Sequence, residues 1–193
     1  LDTRVHLKQG DRSDAPEAGT VEFKDVSFHY PSSDKDVLEH ISFTARKGET
    51  VAFIGATGSG KTTLVSLAAR FYDATAGQVL VDGVDVKDYT FDALYDRIGY
   101  VTQKAILFSG DIRSNVLFGE SRGGSSDGDV REALDLAQAS EFVEKLPQGI
   151  RAPIAQGGSN VSGGQKQRLS IARALARKPE ILLSPTGSVS AAK

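Results

Sequence analysis

Val51-Ala-Phe-Ile-Gly55-Ala-Thr-Gly-Ser-Gly60-Lys-Thr-Thr-Leu64-Val-Ser-Leu-Ala-Ala-Arg70 carries the strongest fold signal in the sequence. Val51–Ile54 is a short, continuous apolar run, the pattern of a strand buried on both faces. Apolar residues at 64, 65, 67, 68 and 71 follow at helical spacing. Between them Gly55-x-x-x-x-Gly60-Lys61-Thr62 has the spacing of a phosphate-binding loop in its required strand–loop–helix setting. Gly55, Gly58 and Gly60, with Thr57 and Ser59 between them, let successive backbone N–H groups turn toward phosphate oxygens without an obstructing Cβ. The new helix aims its partly positive N-terminus at the same anion. Lys61 is placed to reach the β- and γ-phosphates, the Thr62 hydroxyl to hold Mg²⁺, and Thr63 completes the first turn. A nucleoside triphosphate with Mg²⁺ is the expected ligand.

Bulk properties bound what surrounds this loop. The 193 residues carry 39% hydrophobic and 25% charged side chains, ordinary for one globular domain with a sizeable core. Net charge is −2, so no global positive field draws the chain to nucleic acid. The densest basic stretch, Lys166 to Lys178, alternates with apolar residues as a solvated helix face does. Cysteine is absent, which excludes disulfides and thiolate metal sites and fits a reducing setting. No apolar run has the ~20 residues that span a bilayer. Methionine is absent too, position 1 included; a fragment, a processed chain or a sequence written without modified methionines is expected.

Residues 1–19 are polar and read as a lead-in linker. Val21–Tyr30 alternates as a half-buried strand, and Val37–Thr44, Gln78–Val84 and Ile98–Val101 are further strands, with a short helix at Phe91–Arg97. Between Gln103 and Gly158 helical patterns take over, at 111–117, 129–139 and 141–146, interrupted by a Gly/Ser-rich loop at 119–128. Ser162 opens a long helix to about Lys178, and Ile181–Leu183 is another buried strand. Residues 184–193 have the texture of a tail.

Val161-Ser-Gly-Gly-Gln-Lys-Gln-Arg168 narrows the class. Ser162 and Gln165 have capping-box spacing, and Gly163 and Gly164 leave a second helix N-terminus open to an anion. This stretch resembles the signature motif of ABC ATPases, and the resemblance extends over nearly all of residues 20–183. It implies an α/β P-loop NTPase fold with a RecA-like core, an antiparallel β subdomain and an inserted α-helical subdomain, the C-terminal part of the core not being present. The expected divisions are 1–19 (linker from a membrane domain), 20–103 (core with β subdomain), 104–161 (helical subdomain), 162–183 (signature helix and core strand) and 184–193 (non-family tail). The resemblance further implies that Tyr30 stacks on adenine. It makes Gln103 a contact to Mg²⁺ or water, and it makes Ser162, Gly163, Gly164 and Gln165 contacts in trans to ATP held by a second ABC nucleotide-binding domain.

Lys104–Gly119 is similar to the LFSG-x-I-x-x-N segment of exporters, and Ile154–Asn160 to halves of heterodimeric multidrug exporters. A transmembrane domain of the same transporter, a homo- or heterodimeric arrangement and a place at the cytoplasmic face of a membrane follow as expectations. The resemblance fails after Leu183. Where the family has the Walker B aspartate and a catalytic carboxylate, this sequence reads Ser184-Pro185-Thr186, and no Asp or Glu follows Glu180. ATP binding without effective hydrolysis is therefore expected of these 193 residues, and a regulatory or non-transport ABC module is the alternative to a transport ATPase.

Overall fold

The structure is a computed structural model that describes residues 7–119, 126–184 and 188–191. In chain order its principal elements are β1 (Val21–Phe28), β2 (Leu38–Ala45), β3 (Thr50–Ala52), α1 (Lys61–Ala68), β4 (Ala76–Val81), β5 (Val84–Asp85), α2 (Phe91–Arg97) and β6 (Ile98–Tyr100). There follow β7 (Gly110–Asp111), α3 (Ile112–Val116), α4 (Asp127–Leu136), α5 (Ser140–Glu144), β8 (Pro153–Ile154), α6 (Gly163–Ala176), β9 (Ile181–Ser184) and β10 (Ser188–Ala191). They group into two compact units, one of residues 1–98 and 180–193, the other of 99–179.

In the first unit an antiparallel sheet has the order β2-β1-β4-β5. The buried residues of β1 are Val21, Phe23, Val26 and Phe28, so the phase of the alternation slips between 23 and 26. Asp25, at φ 51°, is the cause: a bulge there lets both halves of the strand face the core. The single strand expected over 78–84 is a hairpin. Asp82 and Gly83, at φ 52° and 78°, make the two-residue turn between β4 and β5.

A second sheet holds β3, β10 and β9, with β10 antiparallel to both neighbours. Two expectations are corrected here. Residues 188–191 are a strand, not a tail; Ser-Val-Ser-Ala alternates and supplies the partner that β3 would otherwise lack. Residues 185–187, 192 and 193 of the expected tail lie outside the described residues. The run Val51–Ile54 is not buried on both faces, and Ile54 is 99% exposed, because no described element covers it.

The expected linker is likewise part of the fold where it is described, while residues 1–6 lie outside. Gly10 N–H donates to Tyr89 C=O, Arg12 N–H to Asp88 C=O and Thr90 N–H to Arg12 C=O, at 3.1, 2.9 and 2.9 Å. A Cβ on Gly10 would sit 2.1 Å from the Asp88 carbonyl oxygen, which is why glycine stands there. Arg70, 1% exposed at the end of α1, donates to the carbonyls of Lys8 and Tyr89 and to Asp73.

Asp82 is fully buried and accepts from Thr20 N–H at 2.8 Å. Arg97 lies 3.3 Å from it and 3.2 Å from Glu180. Burial, reinforced by Glu180 and only partly offset by Thr20 and Arg97, pushes the Asp82 carboxyl up to about 6. The folded state thus holds a proton that the unfolded chain releases near pH 4, and this contribution to stability falls as pH rises from about 4 to about 6. The difference in thermal midpoint between wild type and Asp82→Asn should shift in the variant's favour across that window. A pH-independent difference would contradict the assignment. Ion-paired carboxylates held low, such as Asp129 at about 2 beside Lys178, act in the opposite sense at lower pH and cancel in the difference.

The second unit packs α3 and α4 on α6. Ile112, Val116, Val130, Leu134, Leu169 and Ala172 are among its core residues. The expected helices at 111–117, 129–139 and 141–146 occur one to three residues displaced, as helix ends do. Of the loop expected at 119–128, residues 120–125 lie outside the described residues.

Candidate nucleotide site

The loop 55–60 runs into α1 through two left-handed glycines, Gly58 at φ 84° and Gly60 at φ 87°. Gly60 is required twice over: a Cβ there would also meet Leu38 Cδ2 at 2.7 Å and the Val37 carbonyl oxygen at 3.1 Å. A Cβ on Gly55 would meet Ser59 Oγ at 2.6 Å. Among the described residues the loop's own backbone bond runs from Ser59 N–H to Ala56 C=O, 3.2 Å. The N–H groups of Gly60, Lys61 and Thr62 stay available to an anion, as the start of a helix leaves them. α1 carries no acidic residue in its first turn, so nothing there competes for its positive end.

Lys61 folds over the loop. Its Nζ donates to Gly55 C=O at 2.7 Å, Ala56 C=O at 2.8 Å and Ser59 Oγ at 3.2 Å. These are surface-accessible bonds that an incoming phosphate can replace with stronger charge-assisted ones. Thr57 and Ser59 are exposed, as is Thr62, the residue expected from the sequence to ligate Mg²⁺. Thr63 is buried at 5% exposure, and its Oγ1 lies 2.9 Å from the Tyr30 hydroxyl. Tyr30 itself is half-buried, edge-on to Phe28 and Tyr72 with centroids 5.0 and 5.2 Å away. The donors, glycine conformations and accessible hydroxyl therefore fit a Mg²⁺–triphosphate. Mg²⁺ bound there would neutralise phosphate charge.

The second unit holds the other expected residues. Ser162 caps α6: Gln165 N–H donates to Ser162 Oγ at 3.2 Å, and Ser162 N–H to Gln165 Oε1 at 2.9 Å. The capping box predicted by the spacing is formed. Gln165 consequently serves its own helix start. Gly163 and Gly164 are exposed, have ordinary helical backbone, and a Cβ on either would meet nothing within 4 Å. Nothing in the fold of this unit requires them to be glycine.

Gln103 is exposed in the loop after β6. That loop is tied to α6 by Arg173, whose guanidinium donates to Asn115 C=O at 2.8 Å and Ile106 C=O at 2.9 Å. Arg173 also lies over the stacked Phe108 and Phe118 rings, at 5.6 and 5.5 Å, and burial lowers its pKa. Asn115 closes the 108–115 turn by accepting from Phe108 N–H and donating to the Phe108 and Asp111 carbonyls. Arg173 has no signal in the sequence that marks it as support for this loop; Asn115 has one, inside its LFSG-x-I-x-x-N segment. The basic stretch 166–178 is not one solvated face, since Arg173 is engaged with these carbonyls while Lys178 pairs with Asp129 and Glu132. Glu180 pairs with Arg97 and is engaged structurally.

Comparison with known proteins identifies the family. Residues 38–184 match the sequence profile of the family described as ABC transporter. An ATP-dependent lipid A-core flippase of Aromatoleum aromaticum is 42% identical over 183 residues, covering 95% of this chain and 30% of that protein. A putative multidrug export ATP-binding/permease protein of Staphylococcus aureus is 44% identical over 165 residues, covering 86% of this chain and 28% of that protein. The structure of a bacterial Atm1-family ABC exporter with ATP bound superposes with a TM-score of 0.80 at 36% identity, over 94% of this chain and 32% of that one. The chain thus spans under a third of the length of these relatives. It belongs to the ABC transporter family and has the P-loop NTPase fold of that family's ATPase domain.

Proposed function

We propose that this chain is the ATP-binding domain of an ABC exporter, one half of a pair in which each ATP is held by the P-loop of one domain and the signature helix of the other. In this reading Gly55–Thr63 hold the phosphates and Tyr30 the adenine. Thr62 and Gln103 serve Mg²⁺, and Ser162, Gly163, Gly164 and Gln165 face the partner's nucleotide. A transmembrane domain of the same transporter is the second partner, which puts the chain at the cytoplasmic face of a membrane. The relatives' names, a lipid A-core flippase and a multidrug export protein, support export.

The observation that carries the proposal is the pair of glycines at the start of α6. Glycine in a helix interior costs about 0.5–1 kcal/mol relative to alanine, less in the first turn where Gly163 and Gly164 stand, and here the fold gains nothing for it. Close approach of a ligand from outside the unit explains both positions. Gly163→Ala and Gly164→Ala are accordingly expected to raise the stability of the isolated chain slightly, by at most about 0.5–1 kcal/mol each, while weakening ATP-dependent dimerisation. Urea unfolding and analytical ultracentrifugation with Mg–ATP measure the two. Variants that gain stability and dimerise like wild type would refute the shared site.

One feature favours a second reading, a regulatory module that binds ATP without turnover. β9 ends on Ser184 and continues to Pro185-Thr186, where the family resemblance calls for two acidic residues. The segment beside β3 is Ser188-Val-Ser-Ala191, which offers no carboxylate. Binding and closure need none of these groups, so both readings share the same nucleotide site and differ in turnover.

A further inference from the structure

The β1–β2 connection, residues 29–37, touches the P-loop at two points. At one, Val37 and Leu38 crowd Gly60 so closely that no Cβ fits there. At the other, the Tyr30 hydroxyl lies 2.9 Å from Thr63 Oγ1. Thr63 is 5% exposed, so its hydroxyl needs a protein partner, and the Tyr30 hydroxyl supplies it. The connection is braced to make these contacts. Val37 N–H donates to Phe28 C=O at 2.7 Å and Ser33 N–H to Tyr30 C=O at 2.9 Å. His29 Nδ1 meets Asp36 at 3.1 Å and His29 N–H donates to Thr75 Oγ1 at 3.2 Å, closing the base of the loop. The Tyr30 ring is wedged edge-on between Phe28 and Tyr72, which fixes where its hydroxyl can point.

We infer that Tyr30 is a positioning residue for the phosphates as well as a platform for the base: its hydroxyl, through Thr63, holds the first turn of α1 in the orientation that presents Lys61 and the loop N–H groups. Thr63 adjoins Thr62, so a change in the rotation of this turn is felt at the phosphate and Mg²⁺ positions directly. The inference rests on the proposed nucleotide site and adds a coupling between its base end and its phosphate end. A ring that only stacks would matter to ATP and be indifferent to a ligand without a base. A hydroxyl that holds the helix start matters to both.

The test compares Mg–ATP with Mg–tripolyphosphate, by calorimetry on the 193-residue chain. Tyr30→Phe keeps the ring and removes the hydroxyl, and should weaken both ligands by the same factor, roughly two- to tenfold for one hydrogen bond. Thr63→Val should do likewise, and the double variant should lose little more than either single one, because both remove one shared contact. Tyr30→Leu should lose further affinity for ATP but not for tripolyphosphate. Tripolyphosphate affinity unchanged in both Tyr30→Phe and Thr63→Val, or fully additive losses in the double variant, would overturn the inference. If the wild-type chain bound neither ligand, the nucleotide site on which the inference rests would fall instead. Circular dichroism of each variant separates these outcomes from misfolding, and Thr63→Ser, which keeps the hydroxyl, should restore tripolyphosphate binding.

Discussion

Steady-state phosphate release by the 193-residue chain is expected to run about 10²–10⁴-fold below that of an ABC domain with its full acidic complement, the span that a positioned general base contributes. The reason is local. In this chain β9 ends on Ser184, and the sequence goes on with Pro185-Thr186 where the resemblance calls for a metal-binding aspartate and a water-polarising carboxylate. A serine hydroxyl is a poor base at neutral pH, proline and threonine offer no charge, and Glu180 is committed to Arg97 at the opposite end of the strand. Loss of turnover should leave binding in place. An equilibrium ATP titration beside the phosphate-release assay checks both halves of this expectation, and turnover typical of an intact ABC domain would refute it.

Lys61→Ala should lower Mg–ATP affinity by about 10²-fold or more. Lys61 Nζ now sits on the Gly55 and Ala56 carbonyls and Ser59 Oγ, acceptors that phosphate oxygens replace. Hydrogen bonds to a charged group contribute about 1.5–3 kcal/mol each, so the loss of two is worth that factor. Truncation removes no buried packing, since Lys61 is only half-buried on the surface of the loop. The thermal midpoint of the ligand-free chain should therefore change little, and calorimetric titration isolates the binding effect. Retained affinity would mean that the backbone alone holds the phosphates.

The parts of the fold that the sequence made legible are those where local chemistry and tertiary context agree. Gly60-Lys61-Thr62 and Ser162-x-x-Gln165 each specify a helix start through backbone needs, and both starts occur where expected. Helix existence in the second unit was readable from apolar spacing because one core, around Leu134 and Leu169, takes all the stripes. What escaped the pattern depends on partners distant in sequence. Val51–Ile54 looks like a buried strand, yet burial is a property of what covers it, and Ile54 is uncovered. Ser188–Ala191 carries too little apolar weight to announce a strand, and only pairing to β3 and β9 makes it one. Residues 8–12 look like linker because their bonds are backbone-to-backbone, apart from Arg70, which reaches them across 62 positions in sequence. Asp82-Gly83 did carry a turn signal, hidden within an otherwise continuous apolar stretch. At the site, Tyr30 and Thr63 were legible one at a time; their hydroxyl contact, 33 positions apart, was not.

In the proposed function the P-loop is half of a site completed by the signature helix of a second domain. Mixing two differently disabled chains tests it most directly. Lys61→Ala removes a P-loop contact and spares the signature, while Ser162→Arg does the reverse, removing the cap and placing a long side chain beside Gly163 and Gly164. Neither variant alone should dimerise with Mg–ATP in sedimentation velocity. Their equimolar mixture should form a dimer holding one ATP, because the intact P-loop of one chain then meets the intact signature of the other. A mixture that stays monomeric while wild type dimerises, or a Ser162→Arg chain that dimerises unaided, would contradict the claim.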